Sequence, residues 1–194
     1  MIRLALLRHG HTQWNREGRI QGRTDIPLDA EARADLQRRS LPAPWAAADL
    51  VSSPLSRAVE TAKLLTGHMP RCENALMEMN WGDWEGRVAA EVRADPACDH
   101  RDIEDWGWHY TPPNGESPDE LRRRLTPWLR TLTEDTVAVC HIGVMRVILG
   151  MATGWGFSGP APFIVKRNRL FVVQIAGDDL SFEAEQVRLT EGAP

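Results

Sequence analysis

Leu6-Leu7-Arg8-His9-Gly10-His11-Thr12-Gln13-Trp14-Asn15 decides how the chain is read, because an apolar run that begins at Ile2 ends there abruptly in reactive side chains. Ile2 to Leu7 has the length and continuity of a strand buried on both faces. Arg8 and His9 then fall in the glycine-bearing turn beyond its carboxyl end, where open α/β sheets bind ligands. Guanidinium offers a rigid fork of donors suited to phosphate or carboxylate, and imidazole attacks or shuttles protons near neutral pH. Taken alone, a histidine after a strand is more often merely hydrogen-bonded than catalytic.

The same arrangement returns late in the chain. Val137-Ala138-Val139-Cys140 reads as a second buried strand that delivers His141, followed by Ile142-Gly143 and a helix through Val144, Val147, Ile148 and Met151. The amides at that helix start point towards the same edge of the sheet. Two strand-end histidines are harder to dismiss than one.

Between them, residues 16–25 form a polar loop that offers Asn15, Arg19, Gln21 and Gly22 as groups close to Arg8. Asp29 as N-cap predicts a helix to about Arg39, stopped by Leu41-Pro42-Ala43-Pro44. Leu50-Val51-Ser52 reads as a short strand. Ser53 as N-cap and Pro54 at the first helical position then open a helix with Leu55, Ala58, Val59, Ala62 and Leu65 at helical spacing. Arg57 falls in its first turn, where free N–H groups already favour an anion, although a plain surface arginine is the alternative. Around 76–86, Glu78, Asp83 and Glu85 lie among apolar and aromatic neighbours that can raise a carboxyl pKa towards general-acid use. An ordinary exposed loop carboxylate is the simpler reading of each.

A short helix is expected from Arg87 to about Asp95, then an irregular stretch to Pro113 containing Trp106, Trp108, His109 and Tyr110, together a cap. Those rings could stack on a leaving group or simply pack a core. Ser117-Pro118-Asp119-Glu120 is a capping box for a helix whose stripe runs through Leu121, Leu125, Trp128, Leu129 and Leu132, with Pro127 expected to kink it and Arg122-Arg123-Arg124 as its solvated face. Arg169 to Ile175 and Leu180 to Val187 read as closing strands, and Glu191 to Pro194 as a frayed end.

The bulk numbers limit what the chain can be. With 194 residues it is expected to be one domain, and a net charge of −4 from 23 basic and 27 acidic residues gives no basic field for nucleic acid or an anionic membrane. Three scattered cysteines, Cys72, Cys98 and Cys140, suit a reducing compartment, and no apolar run nears the roughly 18 residues of a membrane span, so a cytoplasmic protein is expected. Strands alternating with helices predict an α/β fold, a three-layer sandwich with a mostly parallel central sheet, helices on both faces and a small helical and loop cap.

Collected, Arg8, His9, Asn15, Gln21, Arg57, Glu78 and His141 suit a phosphate dianion, with no Walker lysine and no metal-binding acid cluster. Leu7-Arg8-His9-Gly10-His11-Thr12 with Trp14-Asn15 resembles the signature of the histidine phosphatase superfamily, the phosphoglycerate mutase-like proteins. The resemblance continues through Gln21-Gly22, Ser52-Ser53-Pro54-Leu55 with Arg57-Ala58, Glu78 with Gly82-Asp83-Trp84-Glu85-Gly86, Pro113 to Ser117, and His141 to Arg146, so it spans almost the whole chain. The short Trp-Gly-Asp-Trp-Glu-Gly block is most similar to the broad-specificity and α-ribazole phosphate phosphatases.

The resemblance implies a single histidine phosphatase domain over 1–194 with a cap insertion at about 87–113. It implies a metal-independent, cofactor-free phosphomonoesterase in which His9 becomes a phosphohistidine. Arg8, Arg57 and His141 would hold the transferring group, Asn15 and backbone at Gln21, Gly22 and Ile142 would add donors, and Glu78 would serve as general acid and base. Attack requires His9 neutral at one nitrogen, most simply with the other N–H on a backbone carbonyl. Ile142 stands where the family often carries a second glycine. The partner implied is a small phosphate ester, with no nucleic acid and no membrane; the oligomeric state, a homodimer included, stays open. Three other readings remain: a phosphoglycerate mutase, a metallohydrolase using His9 and His11, and an inactive phosphate-binding module.

Overall fold

The computed structural model describes residues 1–192. Its centre is a six-stranded sheet built from β1 (Ile2–Arg8), β3 (Asp49–Ser52), β4 (Arg71–Cys72), β5 (Thr136–Cys140), β6 (Arg169–Ala176) and β7 (Asp179–Arg188), in the order β4-β3-β5-β1-β6-β7. The first four run parallel, and β6 and β7 join antiparallel. The sheet is therefore mostly parallel, with an antiparallel flank that strand–helix alternation alone does not announce.

β1 shows why the three layers form. Leu4 and Leu6 belong to one core with α5 (Pro118–Leu129) and α6 (Ile142–Thr153), while Ala5 and Leu7 belong to another with α2 (Ala30–Gln37) and α3 (Ser56–Thr66). Alternate side chains of a strand point to opposite faces, so a continuous apolar run needs cover on both sides. All four of those β1 residues are buried.

Several element ends differ from the sequence reading. Asp29 caps α2 by accepting from the Ala32 amide, an interaction worth about 1 kcal/mol, but the helix stops at Gln37. Arg39–Ser40, here β2, then pairs with β8 (Thr190–Glu191). Glu191 is thus strand and not a frayed end, while Ala193 and Pro194 lie outside the described residues. α3 opens at Ser56 and not at Pro54, because the Ser53 amide still extends the sheet by donating to Val139 O at 2.9 Å. The capping box of Ser117 and Glu120 is formed, and α5 ends at Leu129, so Pro127 removes a hydrogen bond only from the closing turn.

The cap holds α4 (Ala89–Ala94) and a 3-10 turn at Ile103–Asp105. Trp106 is buried at 5% exposure against Trp81 and Tyr110, so much of the aromatic cluster is core. Among the described residues, no helix is long and apolar enough to cross a membrane.

Candidate active site

Strand order assembles the site. β1 and β5 are parallel neighbours with Arg8 opposite Cys140, so the next residues, His9 and His141, emerge side by side with ring centroids 5.0 Å apart. On the far side of β5, Ser52 lies opposite Val139, which brings Ser53 to the same edge. Three strand ends deliver three polar side chains to one place.

His9 is held in a defined orientation. Its Nδ1 lies 2.6 Å from Gly10 O, a carbonyl that can only accept, so Nδ1 carries the proton and Nε2 keeps its lone pair. Burial, reinforced by His141, Arg57, Arg8 and Arg167, holds the imidazole pKa well below its ordinary value. The ring is neutral at physiological pH. Its backbone is pinned by His9 N to Cys140 O at 3.0 Å, Gly10 N to Thr61 Oγ1 at 3.0 Å and Arg167 Nε to His9 O at 3.2 Å.

His141 takes the opposite tautomer. Arg57 Nε donates to its Nδ1 at 3.3 Å, so the proton sits on Nε2, which faces Ser53 Oγ at 2.8 Å. Arg57 is fully buried and is fixed further by NH1 to Thr24 O at 3.0 Å and NH2 to Gly22 O at 2.6 Å. Gly22 therefore contributes a carbonyl that anchors the arginine. A Cβ there would stand 1.9 Å from Glu85 Oε1, so a side chain at 22 would push the Glu85 carboxylate off the 23–24 loop.

Arg8 and Gln21 supply unpaired donors. Thr12 Oγ1 and Asn15 Nδ2 both donate to Gln21 Oε1, at 2.9 and 3.2 Å, which orients the amide and leaves its Nε2 buried without a partner. Arg8 Nε is likewise buried and unpartnered. Buried donors without acceptors are costly, and an anion that reaches them removes that cost. Burial pulls the Arg8 pKa down to about 10, which leaves it charged. Asn15 acts here as an orienting residue, with Oδ1 taking Thr12 N and Arg167 NH2.

The three candidate carboxyls separate clearly. Glu78 is 2% exposed, with Oε1 accepting from Met79 N at 2.8 Å and Oε2 from Gly143 N at 3.1 Å. Burial raises its pKa against those two amide bonds. Glu85 instead clamps the 23–24 loop: burial raises its pKa, but hydrogen bonds from Thr24, Arg23 and Trp81 outweigh that and hold it low. Asp83 is exposed and bonded to Asn114. The helix amide that reaches a carboxylate belongs to Gly143, not Ile142, and a Cβ at 143 would stand 2.4 Å from Glu78 Oε1.

Some residues fall elsewhere, and some escape a reading of the sequence. Arg19 pairs with Glu17 and the Gly86 carbonyl, away from Arg8. His11 is half-buried in a neighbouring cleft with Arg16, Arg38 and Arg167. Arg124 is not solvated surface: it donates to Met77 O, Glu78 O and Glu116 and so fixes the backbone that carries Glu78. Its phase gives a signal, because it lies three residues after Leu121 and four before Trp128 on the apolar stripe. Ser53 is hidden by its resemblance to a cap, and Arg167 sits in irregular chain with no periodicity to flag it. Among the described residues, no three His, Cys, Asp or Glu side chains converge as a metal site.

Comparison with known proteins gives a consistent picture. The family model described as histidine phosphatase superfamily (branch 1) matches residues 4–187. Glucosyl-3-phosphoglycerate phosphatase of Mycobacterium tuberculosis is 35% identical over 140 residues, 67% of this chain and 60% of its own length. Adenosylcobalamin/alpha-ribazole phosphatase of Escherichia coli is 29% identical over 163 residues, 79% of this chain and 80% of its own. Among solved structures, a phosphoglycerate mutase from Thermus thermophilus is similar with a TM-score of 0.73 at 33% identity, covering 97% of this chain and 99% of that one.

Proposed function

Because this chain belongs to the histidine phosphatase superfamily (branch 1), we propose that it is a phosphomonoesterase that works through a phosphohistidine on His9. The observation that carries this reading is the His9 ring. Nδ1–H is tied to Gly10 O, the ring lies beside His141 with Arg8 and Arg57 among the surrounding cations, and the Arg8 Nε and Gln21 Nε2 donors are buried without partners.

In the first step the Nε2 lone pair of His9 forms a bond to phosphorus while the ester P–O bond breaks. The departing oxygen takes the proton of Glu78, whose raised pKa keeps a protonated fraction available. Arg8, Arg57 and Gln21 Nε2 donate to the non-bridging oxygens, and the His141 Nε2–H joins them by exchanging its Ser53 Oγ partner for a phosphoryl oxygen. Such positioning supplies most of the catalysis in phosphoryl transfer. In the second step the Glu78 carboxylate takes a proton from water, the water oxygen bonds to phosphorus, the N–P bond breaks, and phosphate leaves with His9 neutral again.

Two arginines oppose phosphoryl charge without a divalent ion. Release of phosphate from p-nitrophenyl phosphate is therefore expected to be unchanged by a chelator. Loss of activity that magnesium, manganese or zinc restores would turn the reading towards a metallohydrolase.

Water, and not a second substrate oxygen, is the proposed acceptor. With 3-phosphoglycerate and catalytic 2,3-bisphosphoglycerate supplied, free phosphate is expected to accumulate faster than the 2-isomer. Rapid isomer formation with little phosphate release would make the protein a mutase.

A further inference from the structure

A cleft of about 400 Å³ lies between the loop at Ile20, the cap and the second turn of α6, lined by Trp81, Trp106 and Arg146. Its cations differ in kind. Arg93 and Arg101 stand exposed at the mouth and are already engaged, Arg93 with Asp102 at 3.4 Å and Arg101 with Asp99 at 3.3 Å and the Tyr110 ring. Arg146 is half-buried further in, and among the described residues it makes no hydrogen bond or ion pair.

Arg146 follows Gly143 by one turn of α6, and the Gly143 amide donates to Glu78 Oε2 at 3.1 Å. Burial lowers the Arg146 pKa, while Glu78 and Glu104 oppose that from beyond ion-pair distance, and Arg146 in turn depresses Arg8. The helix that holds one Glu78 oxygen thus also carries Arg146 into the cleft. In the proposed reaction Glu78 protonates the departing oxygen, so the space beside it belongs to the leaving group. A half-buried guanidinium without a partner keeps its donors free, and an incoming anion with bidentate geometry would engage them.

Resting on the phosphomonoesterase reading, we propose that Arg146 is a leaving-group receptor: the preferred substrates are phosphate monoesters whose alcohol portion bears a second anionic group, carboxylate or phosphate, held by Arg146 in this cleft. Trp81 and Trp106 form the wall against which the carbon skeleton lies. Any aromatic or apolar part of the leaving group is thus accommodated together with a negative charge, and not in place of one.

The test uses matched esters that differ only in that charge: 3-phosphoglycerate against glycerol 3-phosphate, and 4-carboxyphenyl phosphate against phenyl phosphate. The wild type is expected to favour the charged member of at least one pair by about tenfold in kcat/KM, the scale of one charge-assisted hydrogen bond. Arg146→Met is expected to lose about tenfold more on that charged member than on its neutral partner, and Arg146→Lys to recover part of the difference. Binding of the same pair to His9→Ala, with and without Arg146→Met, gives the same comparison without turnover.

Equal losses on both members, or no wild-type preference in either pair, overturn the assignment and leave Arg146 as a structural or Glu78-tuning residue. If p-nitrophenyl phosphate is still hydrolysed in that case, the phosphatase reading survives alone. No phosphate release from any ester by the wild type, with no binding to the His9→Ala protein, removes both readings.

Discussion

His9→Ala is expected to lose activity by about 10⁴-fold or more, the scale on which a covalent nucleophile is missed. The expectation follows from how little else could replace it. His141, the other imidazole at the strand ends, carries its proton on Nε2 and has Nδ1 occupied by Arg57. Its Nε2 proton is directed at Ser53 Oγ and can be given to a phosphoryl oxygen in exchange, but the ring has no free lone pair to attack phosphorus. Acid-labile, base-stable phosphate should appear on the wild type during turnover and be absent from His9→Ala. Label that persists in the variant would move the nucleophile elsewhere. Since burial and the surrounding cations hold the His9 pKa well below 6.5, the ring stays neutral as pH falls through that value. No acid limb from the nucleophile is expected near pH 6.5.

Glu78→Gln is expected to separate substrates by their leaving groups. An alkyl phosphate must expel a basic alkoxide and should slow by roughly 10²- to 10⁴-fold without its acid, whereas p-nitrophenolate departs unaided and should slow far less. The pH profile carries the same information. Glu78 has a folded pKa raised above its ordinary value, so its acid form, and with it the rate on alkyl esters, declines as pH rises through that raised pKa. In Glu78→Gln this basic limb should disappear. Because both carboxylate oxygens accept backbone amides, glutamine turns an NH2 towards one of them, and a melting curve should accompany the assay. Equal slowing of both ester types by a folded variant would exclude Glu78 as the proton donor.

The parts of this molecule that are legible in sequence are those encoded locally. An apolar run that stops at Arg8-His9-Gly10, and another at His141-Ile142-Gly143, announce two strand ends without reference to the rest of the chain. Burial of Leu4 to Leu7 on both faces follows from the same run. Which strands become neighbours is a tertiary fact, so the 5.0 Å approach of His9 to His141 is to be expected only through family resemblance. The antiparallel seating of β6 and β7 is hidden for the same reason, although the turn at Gly177 marks their hairpin. Ser53 misleads because Ser-Pro resembles a helix start, while hydrogen bonding to Val139 keeps it in the sheet. Arg146 lies within a recognised block, yet its lack of partners is a property of the folded cleft and of no residue nearby in sequence.

The place of β1 has a consequence for the order in which the enzyme comes into being. The proposed nucleophile follows β1, but that strand is bordered on one side by β5 and on the other by β6, both far later in the sequence. Contacts of such large sequence separation form late and slowly, because closing the intervening chain costs entropy before the pairing repays it. Until then His9 has no Cys140 carbonyl to hold its backbone and no His141 beside it. The imidazole proposed to attack phosphorus thus stays unassembled until β1, β5 and β6 have met in the middle of the sheet.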